Sequence, residues 1–446
     1  MTTRRAGWWR KALGAVAGPG VLVLGLVAAA AHCGSSEEQT SGTGPGPQEG
    51  GSGGGGGAPG HGGAGAGGAE PGDAGSEGGS AGGGGGTDAE IPVEFPPDKW
   101  GKYLVGVFQA DLWDSSRNRL VPIYVWYPAA GQGGKQITYM WLLKGAAWQD
   151  APPAKEDGPF PVALFSHGFK GIAFQSYAFT EYLASHGFVV VAPNHSGNTL
   201  FDFTAKDEDV AQVTLDRPKD IHFAYTKAVE LGSTPGHVLE GMLDPKRVAM
   251  TGHSFGAFTA LIVAGAEADM DKAKTACANG VEADIFCPYV GYYPPGTVLR
   301  MDPKIAGLRA VVALTPGGYN AIFDENLAKV YVPALVMGGT EDTTTPLDIE
   351  IDPIYAGLPK PKAKAVLAGA SHMSFTNICS IPMAPMVFGD MCKASLSEGR
   401  AFEIIDAIAT AFVRLHVGGE AGMKPFLSDP YLKATFPEVA YVADPP

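Results

Sequence analysis

Residues 252–256 read Gly-His-Ser-Phe-Gly, with a glycine two positions before and two positions after Ser254. A short apolar run at 247–251 precedes this motif, and a helix-like pattern at 255–268 follows it. A sharp turn from strand to helix strains the backbone of its serine, needs small neighbours and leaves the hydroxyl exposed at the strand end. The start of the helix also favours the negative charge that develops in acyl transfer. The motif therefore predicts Ser254 as a nucleophile.

A nucleophilic serine needs a general base, and the base needs a carboxylate that orients it. In a strand–turn–helix site the acid precedes the histidine along the chain. The apolar run 334–337 leads into a loop that carries Glu341 and Asp342, and the run 363–367 leads into a loop that carries His372. The preceding run, 310–314, has no acidic residue nearby before Asp324. We predict Asp342 as the acid, with Glu341 as the alternative, and His372 as the base.

The oxyanion that forms in acyl transfer needs two backbone N–H donors near the serine. Phe255 follows the nucleophile directly, and Phe169 follows the apolar run 161–165 through Ser-His-Gly. We predict these two residues as the donors, with His167, Phe169 and Phe255 lining the substrate pocket. His195 lies beside another strand end and is a further pocket candidate. His253 is expected to pack beneath the turn.

The remaining pattern predicts an α/β domain with a mostly parallel, doubly wound sheet and helices on both faces. Segments 103–108 and 120–127 alternate like antiparallel strands, whereas 161–165 and 188–192 are continuous apolar runs typical of buried strands. Helices are expected at 174–186, 220–231 with its start marked by Arg217-Pro218, 255–268 and 398–415. The stretch after Gly418 is expected to be irregular. Residues 138–157 are expected to form a packed surface loop, with a small cover over the site as the alternative.

The N-terminal part differs in composition from the rest. Basic residues at 4, 5, 10 and 11 precede an apolar stretch at 15–31 and then Cys33. This arrangement resembles a bacterial lipoprotein signal, although His32 stands where lipoproteins carry a small residue; plain secretion and a retained anchor are the alternatives. Most of the 63 glycines lie at 42–86, which predicts a flexible tether. We therefore divide the chain into a signal segment at 1–33, a tether at 34–91 and a catalytic domain at 92–446.

The other four cysteines form two local pairs, Cys277 with Cys287 and Cys379 with Cys392. In an oxidising compartment such pairs predict two disulfides, with four free buried thiols as the alternative. Their spacing does not suit a zinc site. The net charge of −14, without a basic stripe in the folded region, argues against nucleic acid as a partner.

Five motifs occur in one order along residues 102–416: Phe-Ser-His-Gly-Phe at 165–169, Ala-Pro-Asn-His-Ser-Gly-Asn-Thr at 192–199, the Ser254 motif, Gly-Gly-Thr-Glu-Asp at 338–342 and Ser-His at 371–372. Together they resemble the α/β-hydrolase superfamily, in particular the bacterial predicted dienelactone hydrolases, which are similar to platelet-activating-factor acetylhydrolases. They also resemble cutinase-like polyester hydrolases. Authentic dienelactone hydrolases use cysteine where this chain has Ser254. The polyester hydrolases carry aromatic subsite residues at positions that Phe169 and Phe255 only partly match.

This resemblance implies an α/β-hydrolase fold and a serine carboxylic-ester hydrolase whose substrate has a short acyl chain, with no metal and no cofactor. The expected partner is a small-molecule or polymeric ester. We expect an exported, monomeric chain that contacts a membrane only through an N-terminal lipid. A catalytically inert binding protein on the same scaffold, and a thioesterase or peptidase with the same three side chains, are the other functions that the motifs allow.

Overall fold

The computed structural model describes residues 93–280, 286–382 and 384–445. The predicted signal segment with Cys33 and the predicted tether lie outside the described residues. Within the described ranges, no helix is both long and apolar enough to cross a bilayer.

Eleven of the strands in the described residues form one sheet, in the order β13-β12-β11-β10-β7-β5-β6-β2-β1-β4-β3. Two short strands, β8 and β9, pair separately. The bounds are β1 Leu104–Asp114, β2 Arg119–Ala129, β3 Lys135–Tyr139, β4 Leu143–Gln149, β5 Phe160–Ser166, β6 Val189–Pro193, β7 Leu243–His253, β8 Ala268–Asp269, β9 Val298–Leu299, β10 Leu308–Leu314, β11 Ala334–Gly339, β12 Lys362–Leu367 and β13 Val439–Asp444.

The central six strands, from β12 to β6, run parallel, and β2, β1 and β13 add antiparallel pairings at the two sides. β5 and β6 are buried along their whole length, which is why their sequences are continuous apolar runs. Because the carboxyl ends of parallel strands lie at the same edge of the sheet, the loops that follow β5, β7, β11 and β12 meet there.

Helices cover both faces of the sheet. Their bounds are α1 Tyr177–Ser185, α2 Asp207–Gly232, α3 Phe255–Val263, α4 Met270–Ala278, α5 Asp352–Gly357, α6 Ala384–Phe388, α7 Glu398–Val413 and α8 Asp429–Thr435. Apolar residues of α2 and α3 pack in one core with Val162 and Leu164 of β5, whereas those of α1 and α7 pack in another with Ala163 and Phe165. Successive side chains of β5 pack alternately in the two cores, which confirms the doubly wound arrangement.

Two helix boundaries differ from the prediction by five residues or more. Helix α2 begins at Asp207, so Pro218 lies inside the helix and does not mark its start. Its first turn is acidic, and the Asp209 carboxylate accepts a 2.7 Å hydrogen bond from Lys206 N, which stabilises this earlier start. Helix α3 ends at Val263 and not at 268, because Gly265 turns the chain with a φ of +113°.

Two segments that were predicted to lack regular structure form strands. After Gly418 the chain forms α8 and then β13, which pairs with β12 from Lys362↔Asp444 to Leu367↔Val439. Leu432, Phe436 and Val439 are buried in the core, which fixes this segment in place. Residues 138–157 include the end of β3 and all of β4, which lie at the opposite edge of the sheet. They therefore form neither the expected surface loop nor the alternative, a small cover over the site.

Candidate active site

Ser254 lies at the sharp turn between β7 and α3, with φ of 56° and ψ of −119°. This backbone conformation is strained for a residue with a side chain. A Cβ at Gly252 would collide with the backbone of Gly256, and a Cβ at Gly256 would collide with the Ser166 carbonyl. Both glycines are therefore required sterically, which is the physical basis of the motif at 252–256.

The structure brings the side chains of Ser254, His372 and Asp342 together. Ser254 Oγ lies 2.8 Å from His372 Nε2, and His372 Nδ1 lies 2.8 Å from Asp342 Oδ2. All three residues are buried, and Ser254 keeps only 6% of its surface exposed. With the Nδ1 proton donated to the carboxylate, Nε2 is free to accept the serine proton.

Asp342 is held by its own loop as well as by His372. Its Oδ1 accepts hydrogen bonds from the N–H groups of Thr344 and Thr345 at 2.8 and 2.9 Å, and Thr345 Oγ1 donates to Oδ2 at 2.8 Å. Burial by itself would raise the pKa of Asp342, but His372 and the Thr345 hydrogen bonds outweigh it and lower that pKa. Glu341, the alternative acid, instead accepts hydrogen bonds from Ser395.

Two backbone segments adjoin the serine. Phe255 is the first residue of α3, so its N–H has no acceptor within the helix. A Cβ at Gly168 would lie 3.5 Å from the Ser254 Cβ, which places the loop of Gly168 and Phe169 against the serine. The rings of Phe169 and Phe255 lie 6.2 Å apart, and Tyr289 stacks on Phe169 at 6.3 Å. The segments that carry Phe169 and Phe255 thus lie beside Ser254, with aromatic side chains around them.

The chain is similar in sequence to one known protein family and to several known proteins. A family model for chlorophyllase matches residues 151–284. Cutinase 1 of Thermobifida cellulosilytica is 24% identical over 255 residues, which are 55% of this chain and 68% of that protein. A cutinase of Thermobifida fusca (strain YX) is also 24% identical, over 55% of this chain and 59% of that protein. Cutinase est2 of Thermobifida alba is 23% identical over 49% of this chain and 55% of that protein.

The chain is an α/β-hydrolase with similarity to cutinases. The matched region spans between 55% and 68% of the length of these three relatives. The resemblance to the dienelactone hydrolase group is not confirmed by these similarities.

A hydrogen-bond relay joins the loop of Gly168 and Phe169 to the loop of His372. Gly168 N donates to Gln175 Oε1 at 3.1 Å, and Gln175 Nε2 lies 3.0 Å from His253 Nδ1. His253 Nε2 lies 3.0 Å from the carbonyl oxygen of His372, so this nitrogen must carry the proton. Burial, followed by the nearby His372, lowers the pKa of His253 to about 3. Neutral His253 therefore packs beneath the turn, as predicted, and also positions His372.

The prediction that His167 lines the substrate pocket is wrong, because its side chain is completely buried. Its Nδ1 donates to the Gly168 carbonyl, and its Nε2 accepts from the His195 N–H, so both ring nitrogens have internal partners. His195 is equally buried and bonds Ser166 and Asp220, so it does not line the pocket either. Both histidines therefore pack in the interior, just after the carboxyl ends of β5 and β6.

Sequence reasoning missed Gln175, Thr345 and Tyr289. Thr345 carried a usable signal, since a threonine three residues after an aspartate often bonds its carboxylate. Gln175 and Tyr289 carried none, because tertiary contacts bring them to the site from other loops.

The structure contains both expected disulfides, Cys277–Cys287 and Cys379–Cys392. In the first, Cys287 directly follows Phe286, whose ring contacts Phe255 at 5.4 Å. The second packs beside Met373 and Ile378, which follow His372 in the chain. Each disulfide therefore lies close to a residue of the candidate site or of its surroundings. No group of three potential ligands in the described parts of the chain could hold a metal ion.

Proposed function

We propose that this protein is a serine hydrolase that cleaves carboxylic esters through an acyl-enzyme on Ser254. The observation that carries the proposal is the pair of 2.8 Å contacts, from Ser254 Oγ to His372 Nε2 and from His372 Nδ1 to Asp342, at a strained turn. Nucleophile, base and orienting acid are then in hydrogen-bond reach of one another, which is what nucleophilic acyl transfer needs.

In the first half of the reaction His372 Nε2 takes the Ser254 proton while Oγ attacks the ester carbonyl carbon. The carbonyl oxygen becomes an oxyanion that the N–H groups of Phe169 and Phe255 stabilise. Collapse of this intermediate breaks the bond to the alcohol oxygen, which leaves with the proton from His372. Ser254 is then acylated.

In the second half His372 takes a proton from water, and the resulting hydroxide attacks the acyl carbon. The second tetrahedral intermediate collapses to release the carboxylic acid, and the proton returns to Ser254 Oγ. Asp342 stabilises the imidazolium in both halves and keeps the Nδ1 proton pointing towards it. Its lowered pKa suits this role, because it remains a carboxylate at neutral pH.

Relatives named cutinases and a family model named for chlorophyllase support a carboxylic ester as the substrate. The surroundings of Ser254 support a short acyl chain in that ester. The serine is nearly buried, and the rings of Phe169, Phe255 and Tyr289 crowd its surroundings. A bulky acyl chain would have to displace these rings.

The decisive experiment compares the wild-type protein with Ser254→Ala and with Ser115→Ala, a control at an exposed turn between β1 and β2. We expect Ser254→Ala to lose hydrolysis of p-nitrophenyl butyrate by on the order of 10³-fold or more. The control should keep it. A fluorophosphonate should label Ser254 alone, as mapped by mass spectrometry of the labelled peptide; an active Ser254→Ala protein, or an unlabelled wild-type protein, would refute the proposal.

A series of p-nitrophenyl esters from acetate to palmitate tests the acyl-chain part of the proposal. The ratio kcat/KM should be highest for acetate or butyrate. A maximum at long chains would show that the aromatic side chains open to admit them, and would overturn the short-chain assignment while leaving the ester hydrolase proposal intact.

We further propose that the protein is exported and anchored through Cys33. The N-terminal pattern of residues 4–33 supports export, and the two disulfides fit an oxidising compartment. Metabolic labelling with a palmitate analogue should modify the wild-type chain but not Cys33→Ser. Equal labelling of both, or of neither, would rule out lipidation at this cysteine.

A further inference from the structure

Arg217 is a completely buried arginine that the mechanism above does not use. It lies on α2, in the layer that covers β5, β6 and β7. Its guanidinium donates to four acceptors: Ser166 Oγ at 3.1 Å, Asn198 Oδ1 at 3.1 Å, Thr259 Oγ1 at 3.1 Å and the carbonyl oxygen of His167. A charged group is rarely buried so completely without a specific role, because its removal from water is costly.

Two of these acceptors hold the loop that carries Phe169. The His167 carbonyl lies two residues before Phe169. Asn198 Oδ1 accepts from Arg217 and, at 3.3 Å, from the N–H of Lys170, the residue directly after Phe169. Arg217 therefore fixes the backbone on both sides of one proposed oxyanion donor.

The other contacts hold the second donor. The guanidinium carbon lies 4.4 Å from the centre of the Phe255 ring, in a cation–π contact. Thr259 Oγ1, which accepts from Arg217 Nε, donates to the Phe255 carbonyl at 2.9 Å. One side chain thus contacts both segments that supply the proposed oxyanion hole.

A buried hydrogen-bond chain extends from Arg217 to a carboxylate. Ser166 Oγ lies 2.9 Å from His195 Nε2, and His195 Nδ1 lies 3.0 Å from Asp220 Oδ2. These three residues repeat the serine, histidine and aspartate of the site, but none has any exposed surface, so they cannot reach a substrate.

Two other arginines form ion pairs with the Asp220 carboxylate: Arg117 at 2.7 Å and Arg119 at 2.9 Å. Arg217, in contrast, has no direct ion pair with a carboxylate among the described residues. Burial lowers the pKa of Arg217 to about 9, which leaves it protonated at neutral pH. Its positive charge therefore lies next to the oxyanion segments without a carboxylate in direct contact.

We propose that Arg217 is a positioning residue for the oxyanion hole, and that its buried charge stabilises the oxyanion of the transition state. This inference rests on the proposed ester hydrolase function. Arg217 does not touch the substrate; it acts through the backbone of the Phe169 loop and through Phe255. A planar guanidinium can serve several acceptors at once, which a lysine ammonium cannot do in the same geometry.

The test uses Arg217→Lys and Arg217→Met in the full-length chain. Arg414→Lys is the matched control, since Arg414 is also a buried arginine but bonds Glu420 and also His186, which lies just before the amino end of β6. We expect kcat for p-nitrophenyl butyrate to fall on the order of 10²-fold in Arg217→Met and less in Arg217→Lys. KM should change by less than about 3-fold, because the lost interaction is made mainly in the transition state.

A second readout separates this role from a loss of folding. A trifluoromethyl ketone forms a tetrahedral adduct with Ser254 that carries an oxyanion, so its inhibition constant should rise by the same factor by which kcat/KM falls. Asn198→Ala, which removes the link to Lys170 together with one acceptor of Arg217, should lower kcat in the same direction while the guanidinium stays in place. A folded Arg217→Lys or Asn198→Ala protein with wild-type kcat and ketone affinity would overturn the inference.

The two proposals fail in different ways. An inactive, unlabelled wild-type protein would overturn the ester hydrolase function and this inference together. An active wild-type protein whose Arg217 variants lose only thermal stability, to the same extent as Arg414→Lys, would overturn this inference alone.

Discussion

Acidification from pH 7 to pH 5 should destabilise the protein through His253. This histidine is buried beneath the Ser254 turn, where its Nε2 donates to the His372 carbonyl and its Nδ1 accepts from Gln175. A second proton on Nδ1 would break the Gln175 contact and place a charge in the core. Burial, with a smaller contribution from His372, therefore lowers its pKa from 6.5 to about 3.

The sign and size follow from proton linkage. Between the unfolded pKa of 6.5 and the folded pKa of about 3, the unfolded chain binds a proton at this position and the folded chain does not. The stability that neutral His253 contributes is complete above the unfolded pKa and is lost as the pH falls towards the folded one. At pH 5, about 1.5 units below the unfolded pKa, the loss from this one residue is about 2 kcal/mol.

The assay is urea unfolding at pH 7, 6 and 5, followed by the fluorescence of the tryptophans, with the free energy of unfolding extrapolated to zero denaturant. In His253→Gln the residue no longer titrates, so this protein should lose about 2 kcal/mol less than wild type between pH 7 and pH 5. His237→Gln, at a half-buried histidine on a surface loop, is the control and should reduce the acid loss by less.

Wild type and His253→Gln losing the same free energy between pH 7 and pH 5 would refute this reasoning. It would mean that His253 is protonated in the folded protein near its ordinary pKa. The hydrogen-bond relay from Gly168 through Gln175 and His253 to His372 would then need a different proton arrangement.

Three further outcomes are expected. Asp342→Asn should lower kcat by on the order of 10³- to 10⁴-fold at unchanged fold by circular dichroism, because the amide cannot stabilise the imidazolium; a loss below tenfold would contradict the role of Asp342. Gln175→Met should destabilise the protein by about 1–3 kcal/mol in urea unfolding, because it leaves the Gly168 N–H and His253 Nδ1 without partners, and a neutral effect would contradict the relay. Gly256→Ala should yield no soluble folded protein, since its Cβ would collide with the Ser166 carbonyl, whereas Gly399→Ala, with open space around it, should express normally.

Glycine and proline differ in how reliably they mark turns and helix starts in this chain. Gly252 and Gly256 mark the Ser254 turn because only a residue without a Cβ fits there, so this part of the pattern has a single structural reading. Pro218 was misleading, because α2 continues through it. A proline marks the start of a helix only when no stronger start signal precedes it. Here the acidic first turn at Asp207 is the stronger signal, so the helix begins there.

The C-terminal strand shows a different limit. Residues 439–444 carry weak alternation, and β13 exists because it can pair along the open edge of β12. At the opposite edge of the sheet, β3 and β4 form a local hairpin, and only the pairing of β4 with β1 joins it to the sheet. Edge strands depend on a partner that is distant in sequence, so a local pattern cannot reveal them.

The sequence by itself determined the doubly wound α/β fold and the choice of Ser254, Asp342 and His372 as the residues to bring together. It could do so because each lies at a strand end, and parallel strands place those ends at one edge of the sheet. Only the tertiary structure decided what surrounds them. Gln175 joins two loops, His167 turns into the core, and Arg217 contacts the segments that carry both proposed oxyanion donors. Each of these contacts depends on residues far apart in the chain.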